Sequence, residues 1–231
     1  MFYKLETIFY RKEKEINANL LFEEITSFIK IIPDWTDKPS RWLIAHPKEE
    51  LIAIENNTFT EKARAYINEI SNEKPSLNIT LADEKKDASI LTISLMNTPA
   101  ISPLRFYLSL TIKKLDSMNN KDVFIEYISK IIKMEAWEFK YIMLDTEQYG
   151  MRQQAVFEDR IPVGWMLFLP MKIASDDIPS AQKVIITSDK NGTIVLTKDN
   201  FNGKEPGDIL AANNIEIELA AHGYLPKWTE L

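Results

Sequence analysis

Two histidines, His46 and His222, and a few adjacent carboxylates are the residues of this 231-residue chain whose types suit acid-base or metal chemistry. An imidazole titrates close to neutrality and suits proton transfer, and paired carboxylates can hold Mg²⁺ or divide the roles of acid and base. Their spacing favours neither use. His46 stands before Pro47 in a turn, and His222 stands before Gly223 at the expected end of a helix, where the dipole favours an imidazolium. Glu49-Glu50, Glu158-Asp159 and Asp176-Asp177 fall in turn-like segments, where neighbouring charges are solvated. The chain has no cysteine, which removes thiolate nucleophiles, disulfides and thiolate zinc sites. None of its six glycines forms a Gly-x-Gly-x-x-Gly or Walker pattern, so no phosphate cradle is indicated. The expectation is a protein without catalytic, cofactor-binding or metal-binding residues, not an enzyme.

Composition narrows the partners. With 45% hydrophobic and 27% charged residues the chain is that of an ordinary globular protein, large enough for one sizeable core. The net charge is −6, and Lys and Arg are scattered rather than gathered in a stripe, so direct nucleic-acid binding is not expected and a basic partner is easier to accommodate. No stretch approaches the ~20 apolar residues of a membrane helix, and the first residues carry no export signal. With the missing cysteines this points to the cytoplasm. The oligomeric state is left open.

The elements that must position any site follow from periodicity. Phe2 to Tyr10 reads as a strand. Leu21, Ile25, Phe28, Ile29 and Ile32 form one helical face that Pro33 ends. Arg41–Ala45 and Leu51–Glu55 read as short strands, both candidates for sheet edges, and Thr60 caps a helix with Ala63, Tyr66, Ile67 and Ile70 inward. Leu77–Leu81 and Ser89–Leu95 alternate cleanly as a hairpin, and Arg105–Lys113 makes a further strand. A helix over 122–134 then leads to a strand over 139–144. Ser175-Asp176-Asp177 reads as the capped start of a helical turn reaching Gln182, and Asn191-Gly192 joins a second hairpin. Asp208–Ala221 is read as a helix, although Ile215-Glu216-Ile217-Glu218-Leu219 alternates like a strand. The fold class expected is α+β, with a mixed or largely antiparallel sheet and two to four packed helices.

The chain is read as one domain, 1–231, with a pseudo-repeat of halves 1–104 and 105–231. Phe2-Tyr3 recurs as Phe106-Tyr107, Phe22, Glu24, Ser27 and Ile29 recur as Phe124, Glu126, Ser129 and Ile131, and Trp35 recurs as Trp137. Such matches suit a duplicated strand-helix-strand unit, and an amphipathic helix after a strand is also common enough to arise without one.

The densest pattern is Phe157-Glu158-Asp159-Arg160, then Pro162, Val163 and Gly164-Trp165-Met166-Leu167-Phe168-Leu169-Pro170. Two prolines bracket an apolar run, which predicts one buried strand from Val163 to Leu169, with Gly164 marking a bulge or the close approach of another backbone. These residues resemble the central motif of the immunity protein 52 family of bacterial polymorphic toxin systems. Gly192-Thr193-Ile194-Val195-Leu196, Asn213 to Leu219 and Tyr224-Leu225-Pro226 are similar in order and spacing to the second half of that family, and Trp42 with Lys48-Glu49-Glu50 to an element of its first half. The chain departs from the family near 54–60, where relatives often carry a longer glycine-containing stretch.

The resemblance implies an immunity protein that neutralises a cognate secreted effector, such as those of type VI secretion, by binding it. The effector implied is a restriction-endonuclease-fold DNase of the Tox-REase-5 class. The motif residues Arg160, Gly164, Trp165, Met166 and Pro170 are expected to be structural. For an interface with a basic cleft the residues singled out are Asp34, Asp37, Glu158, Asp159, Asp176 and Asp177, with Trp228 as the tryptophan most exposed. The other reading is a small-ligand-binding α+β protein or an enzyme whose polar groups are brought together only by the fold.

Overall fold

The computed structural model describes residues 2–12, 18–33, 39–46, 49–73, 77–84, 91–113, 120–147, 149–150, 154–187 and 192–231. These hold eleven β-strands and four α-helices, so the chain is α+β as expected, and every strand register described below is antiparallel. The chain divides into two compact units. One comprises Met1–Ile8, Lys114–Lys133 and Phe139–Leu231, and the other Phe9–Lys113 and Met134–Glu138.

The second unit is built on β2 (Arg41–Ile44), β3 (Leu51–Glu55), β4 (Thr58–Phe59), β5 (Asn78–Asp83), β6 (Leu91–Thr98) and β7 (Ser102–Lys113), ordered β7-β6-β5-β2-β3-β4. The alternating pattern sets the register of its hairpin: Ile79, Leu81, Ile93 and Leu95 are all buried, with Ile79 opposite Leu95 and Leu81 opposite Ile93. Neither β2 nor β3 is an edge. β2 pairs with β3 and β5, and the two-residue β4 covers β3, because Asn56 and Asn57, both at positive φ, reverse the chain at once. Helix α1 (Ala18–Ile31) buries Leu21, Ile25, Phe28 and Ile29 of the face read from the sequence, and Phe22 as well. Helix α2 (Glu61–Glu73) is capped by the Thr60 hydroxyl, which accepts from the Ala63 amide at 3.2 Å, and it buries Ala63 and Ile67 fully, Tyr66 and Ile70 only in part.

The first unit has strand order β10-β11-β9-β8-β1, from β10 (Lys183–Thr187), β11 (Gly192–Leu196), β9 (Met166–Leu169), β8 (Trp137–Thr146) and β1 (Phe2–Arg11); the last three residues of β1 and the first two of β8 belong to the other unit. Helix α3 (Lys121–Ile131) starts at Asn120, whose side chain accepts from the Asp122 amide at 3.0 Å. It lays Phe124 against Tyr3 and Trp165, at centroid distances of 5.2 and 5.4 Å. Helix α4 (Pro206–Ala221) takes the segment whose alternation also suited a strand, and Gly223 follows its cap His222 at φ 73°. Ser175–Asp177 is a single 3-10 turn with Ala174 at its N-cap, shorter than the helical turn to Gln182 expected, and no side chain caps it. Pro179 ends it, since a proline carries no donor to continue the turn.

The bracketed motif is buried from Ile161 to Leu169, but the strand starts only at Met166. The reason lies in Gly164, at φ 62°, which turns the chain so that the Trp165 amide donates to the Leu144 carbonyl at 2.9 Å. Pairing with β8 then begins at Met166 opposite Leu144. A Cβ on Gly164 would lie 2.8 Å from the Leu144 carbonyl oxygen, so both the dihedral and the close approach of a second backbone require glycine. Gly164→Ala is expected to cost about 2–4 kcal/mol of unfolding free energy, measured by urea titration, because neither strain nor clash can relax without moving β8. A loss within experimental error would show that the kink is not fixed by this contact.

Candidate interaction surface

The 147–165 segment between β8 and β9 carries the motif's polar half, and a buried polar cluster sets its path. Glu216 of α4 is 1% exposed and no cation accompanies it among the described residues; its Oε1 accepts from the Val163 amide at 3.0 Å and its Oε2 from the Val156 amide at 2.8 Å. The Tyr149 hydroxyl donates to Oε1 at 2.9 Å and accepts at 2.7 Å from the Asn213 side-chain nitrogen, which also reaches the Gln154 carbonyl. Burial pushes the Glu216 carboxyl up, against the pull of these three donors. Asp145, near the end of β8, is also 1% exposed: its Oδ2 accepts from the Gly150 amide at 3.0 Å and its Oδ1 has no hydrogen-bond partner. Burial raises that carboxyl to about 7.

With the segment fixed from beneath, its outer turn meets the end of the chain. Arg160 and Lys227 form an antiparallel bridge, the Trp228 amide donates to the Asp159 carbonyl at 3.0 Å, and the Ile161 amide donates to the Pro226 carbonyl at 3.3 Å. The Arg160 guanidinium donates to the Leu225 carbonyl and lies 5.8 Å from the Phe157 ring centroid. Lys227 Nζ sits 3.1 Å from the Asp159 carboxylate, and that hydrogen bond holds the exposed carboxyl below its usual range. Trp228, in the 3-10 turn Trp228–Glu230, is 40% exposed and meets the buried Tyr141 ring edge-on.

The same terminal segment reaches the second acidic turn. The Tyr224 hydroxyl donates to Asp177 Oδ2 at 2.9 Å, His222 Nε2 lies 3.9 Å from Asp177 Oδ1, and the His222 and Tyr224 rings stack. His222 Nδ1 is 3.0 Å from the Glu218 carbonyl, the helix-end position expected of it, and His46 packs edge-on against Tyr66.

Of the residues singled out from sequence, the fold therefore gathers Asp159 with Trp228 and ties Asp177 to the same terminal segment. Glu158 and Asp176 are exposed beside them, and Asp34 and Asp37, like Trp35, lie outside the described residues. The sequence reading missed Lys227: together with the adjacent Arg160 it partly neutralises the acidic turn, and only the long-range pairing of 160 with 227 brings it there. The motif residues take structural places. Trp165 is fully buried with its indole N–H donating to the Lys198 carbonyl at 2.9 Å, Met166 is buried, and Pro170 is exposed where β9 ends.

In the other unit, α1 and residues 134–136 line an open cleft of about 590 Å³, with Lys12, Glu23, Glu24 and Glu135 among its walls. Glu24 is committed there. Its carboxylate takes two hydrogen bonds of 2.8 Å from the buried Arg11 and one of 2.8 Å from the Trp137 indole. Among the described residues no cluster of three or more His, Cys, Asp or Glu side chains is placed to hold a metal ion, and no helix is long and apolar enough to cross a membrane.

No protein-family model matches this sequence, and no curated protein matches it. Among solved structures the chain is similar to the Pseudomonas aeruginosa T6SS protein PA0821, with a TM-score of 0.55 at 8% sequence identity over 94% of this chain and 73% of that one. At that identity the likeness is one of fold.

The buried carboxyl of Asp145 has a measurable consequence. Its folded pKa lies above the unfolded value, so the folded state keeps a proton that the unfolded chain has released, and its contribution to stability falls as pH rises from about 4 to about 7. Three pKa units set an upper bound of about 4 kcal/mol on that fall. Asp145→Asn keeps an acceptor for Gly150 and is expected to remove this slope, so the stability difference between variant and parent, from urea titrations at pH 4 to 8, should grow with pH. A difference that stays flat would mean that Asp145 ionises normally in the fold.

Proposed function

We propose that this chain is an immunity-type protein that neutralises a cognate toxin by binding it directly, without catalysis of its own. The observation that carries the reading is the likeness in fold, over 94% of the chain, to a protein of T6SS context. The resemblance of Phe157 to Pro170 to the immunity protein 52 motif supports it from the sequence, and implies a nuclease toxin of the Tox-REase-5 class and a cytoplasmic site of action. The face offered to the toxin is the turn bearing Glu158 and Asp159 with Trp228 beside it, and then Asp176 and Asp177 across Tyr224.

An exposed indole held edge-on by a buried tyrosine is a preorganised anchor, and carboxylates around it favour fast approach to a basic cleft. Because Lys227 and Arg160 offset part of this charge, the surface recognises a mixed patch better than it imitates a row of phosphates. Tight inhibition would need on the order of 1,600 Å² of buried surface in total, more than these turns alone provide. The acidic cleft on the other unit favours a second reading, a binding protein for a small cationic ligand.

Co-expression with the terminal domain of the toxin encoded by the adjacent gene tests the first reading. Expected are cell survival, a stoichiometric complex on a sizing column, and loss of DNA cleavage by the purified toxin when this protein is added. Trp228→Ala should weaken that complex roughly 10- to 100-fold, the usual loss for an interface anchor, while leaving the melting temperature within a few degrees. Undiminished toxicity with no complex between two folded proteins would overturn the pairing and shift weight to the ligand reading.

A further inference from the structure

Strand β10 stands at the end of its unit's strand order: β11 pairs with one side of it, and no described strand pairs with the other. A strand so placed points alternate N–H and C=O groups outward, a ready template for another strand, and proteins ordinarily blunt such edges by brevity, bulges, prolines or several charges. The strand order of the other unit ends in β4, which is only two residues long. β10 uses none of these devices except one charge. It runs Lys-Val-Ile-Ile-Thr in unbroken register against β11, with Lys183 at its start and no carboxylate among its five residues. Ile186 is 56% exposed, whereas every residue of β11 is buried.

What fits this edge is set by its own order of residues. In an antiparallel pairing of β10 with itself about Ile185, Lys183 stands opposite Thr187, Val184 opposite Ile186, and Ile185 opposite Ile185. Aliphatic side chains meet aliphatic ones, the lone ammonium meets a hydroxyl, and no like charges are opposed, which is the pattern that stabilises cross-strand neighbours. An isologous contact of this kind closes on two copies, because each uses up the β10 edge of the other. A chain of net charge −6 repels its own copy in general, and the five residues of β10 bring no carboxylate to the contact.

We propose that two copies of this chain associate by antiparallel pairing of β10 with β10 about a two-fold axis at Ile185, carrying the strand order of one protomer into its partner. Such a contact lies at the small end of specific interfaces, so the dimer is weak and depends on concentration. The pairing does not involve the turn bearing Asp159 or Trp228, and it stands or falls independently of the toxin reading.

The full chain, which has no cysteine of its own, makes the test clean. Ile185→Cys places two thiols directly opposite each other, at the Cα separation of about 5 Å that a disulfide spans. Lys183→Cys places them four residues apart along the paired strands, roughly 13 Å, which a disulfide cannot span. Mild oxidation should link the first variant into a dimer on a non-reducing gel and leave the second monomeric. Sedimentation equilibrium should show the unmodified protein dimerising as concentration rises, and Ile186→Lys shifting it to monomer with its melting temperature and circular dichroism unchanged. A protein that is monomeric throughout, equal linking of both cysteine variants, or a dimer indifferent to Ile186→Lys would each overturn the proposal. So would protection of β10 from hydrogen exchange that arises only when a different protein is bound, since the occupant would then be that partner's strand.

Discussion

Burying a carboxylate without a cation costs several kcal/mol unless its oxygens are well supplied with donors, and in the first unit that requirement falls on Glu216. Two amides from one irregular segment and a phenol from the same segment meet it. The consequence runs outward from the helix. Val156 and Val163 are fixed by their main chain, the turn between them is fixed by its two ends, and Asp159 and Arg160 are thereby delivered to the terminal segment. Gly164 completes the constraint on the far side, where the kink it permits lets Trp165 donate to β8 while Thr197 donates to Gly164 and Trp165 carbonyls from beyond β11. Residues 154–165 hold their course because backbone groups among them are satisfied from below, not because they form regular structure.

The second unit answers the same electrostatic problem differently. Among the described residues its most deeply buried charged side chain is Arg11, 2% exposed, and it is matched by a carboxylate in a two-bond, side-by-side arrangement with the Trp137 indole as a further donor. Phe9 stacks on Trp137 at 4.1 Å and Phe28 lies on it at 5.9 Å, so the ion pair sits between an aromatic group on one side and the open cleft on the other. A pair of this kind depends on both members: with one removed, the other is left as an uncompensated buried charge. The first unit's carboxylate instead leans on backbone groups.

The elements that were legible in the sequence are those whose apolar spacing is decided by a single face. Helices α1 and α3 and the β5/β6 pair were read from three-four and alternate spacings, the β10/β11 pair from its Asn191-Gly192 turn, and α4 from its helix formers and the stop at Gly223 although five of its residues alternate. What stayed hidden was whatever depended on long-range pairing. β2 is interior because β5 pairs with its other side, and the status of β3 turned on β4, a strand of two residues, too short for any periodicity to announce. The start of β9 turned on the Leu144 carbonyl, and the Val163–Leu169 run was apolar whether or not it was strand, so composition reported its burial without its backbone path. In the candidate surface, the acidic turns and the exposure of Trp228 were foreseeable from local residue types, but Lys227 and Tyr224 reach those turns from sequence distances of 68 and 47 residues, and the Arg160 side chain is tied to a carbonyl 65 residues further on. No local signal in the chain marks that meeting, and the buried glutamate that governs it was hidden within an ordinary helical alternation.

The donors that Val156 and Val163 offer to Glu216 are main-chain N–H groups, which any residue but proline supplies. The anchoring of this turn thus asks nothing of the Glu158 side chain, which is exposed, whereas Arg160 is itself tied to the Leu225 carbonyl. An exposed position within a backbone-anchored turn can change over generations while the framework that presents it stays put, much as a type holder accepts new letters. On the binding role proposed above, such a division lets specificity drift in small, independently tolerated moves.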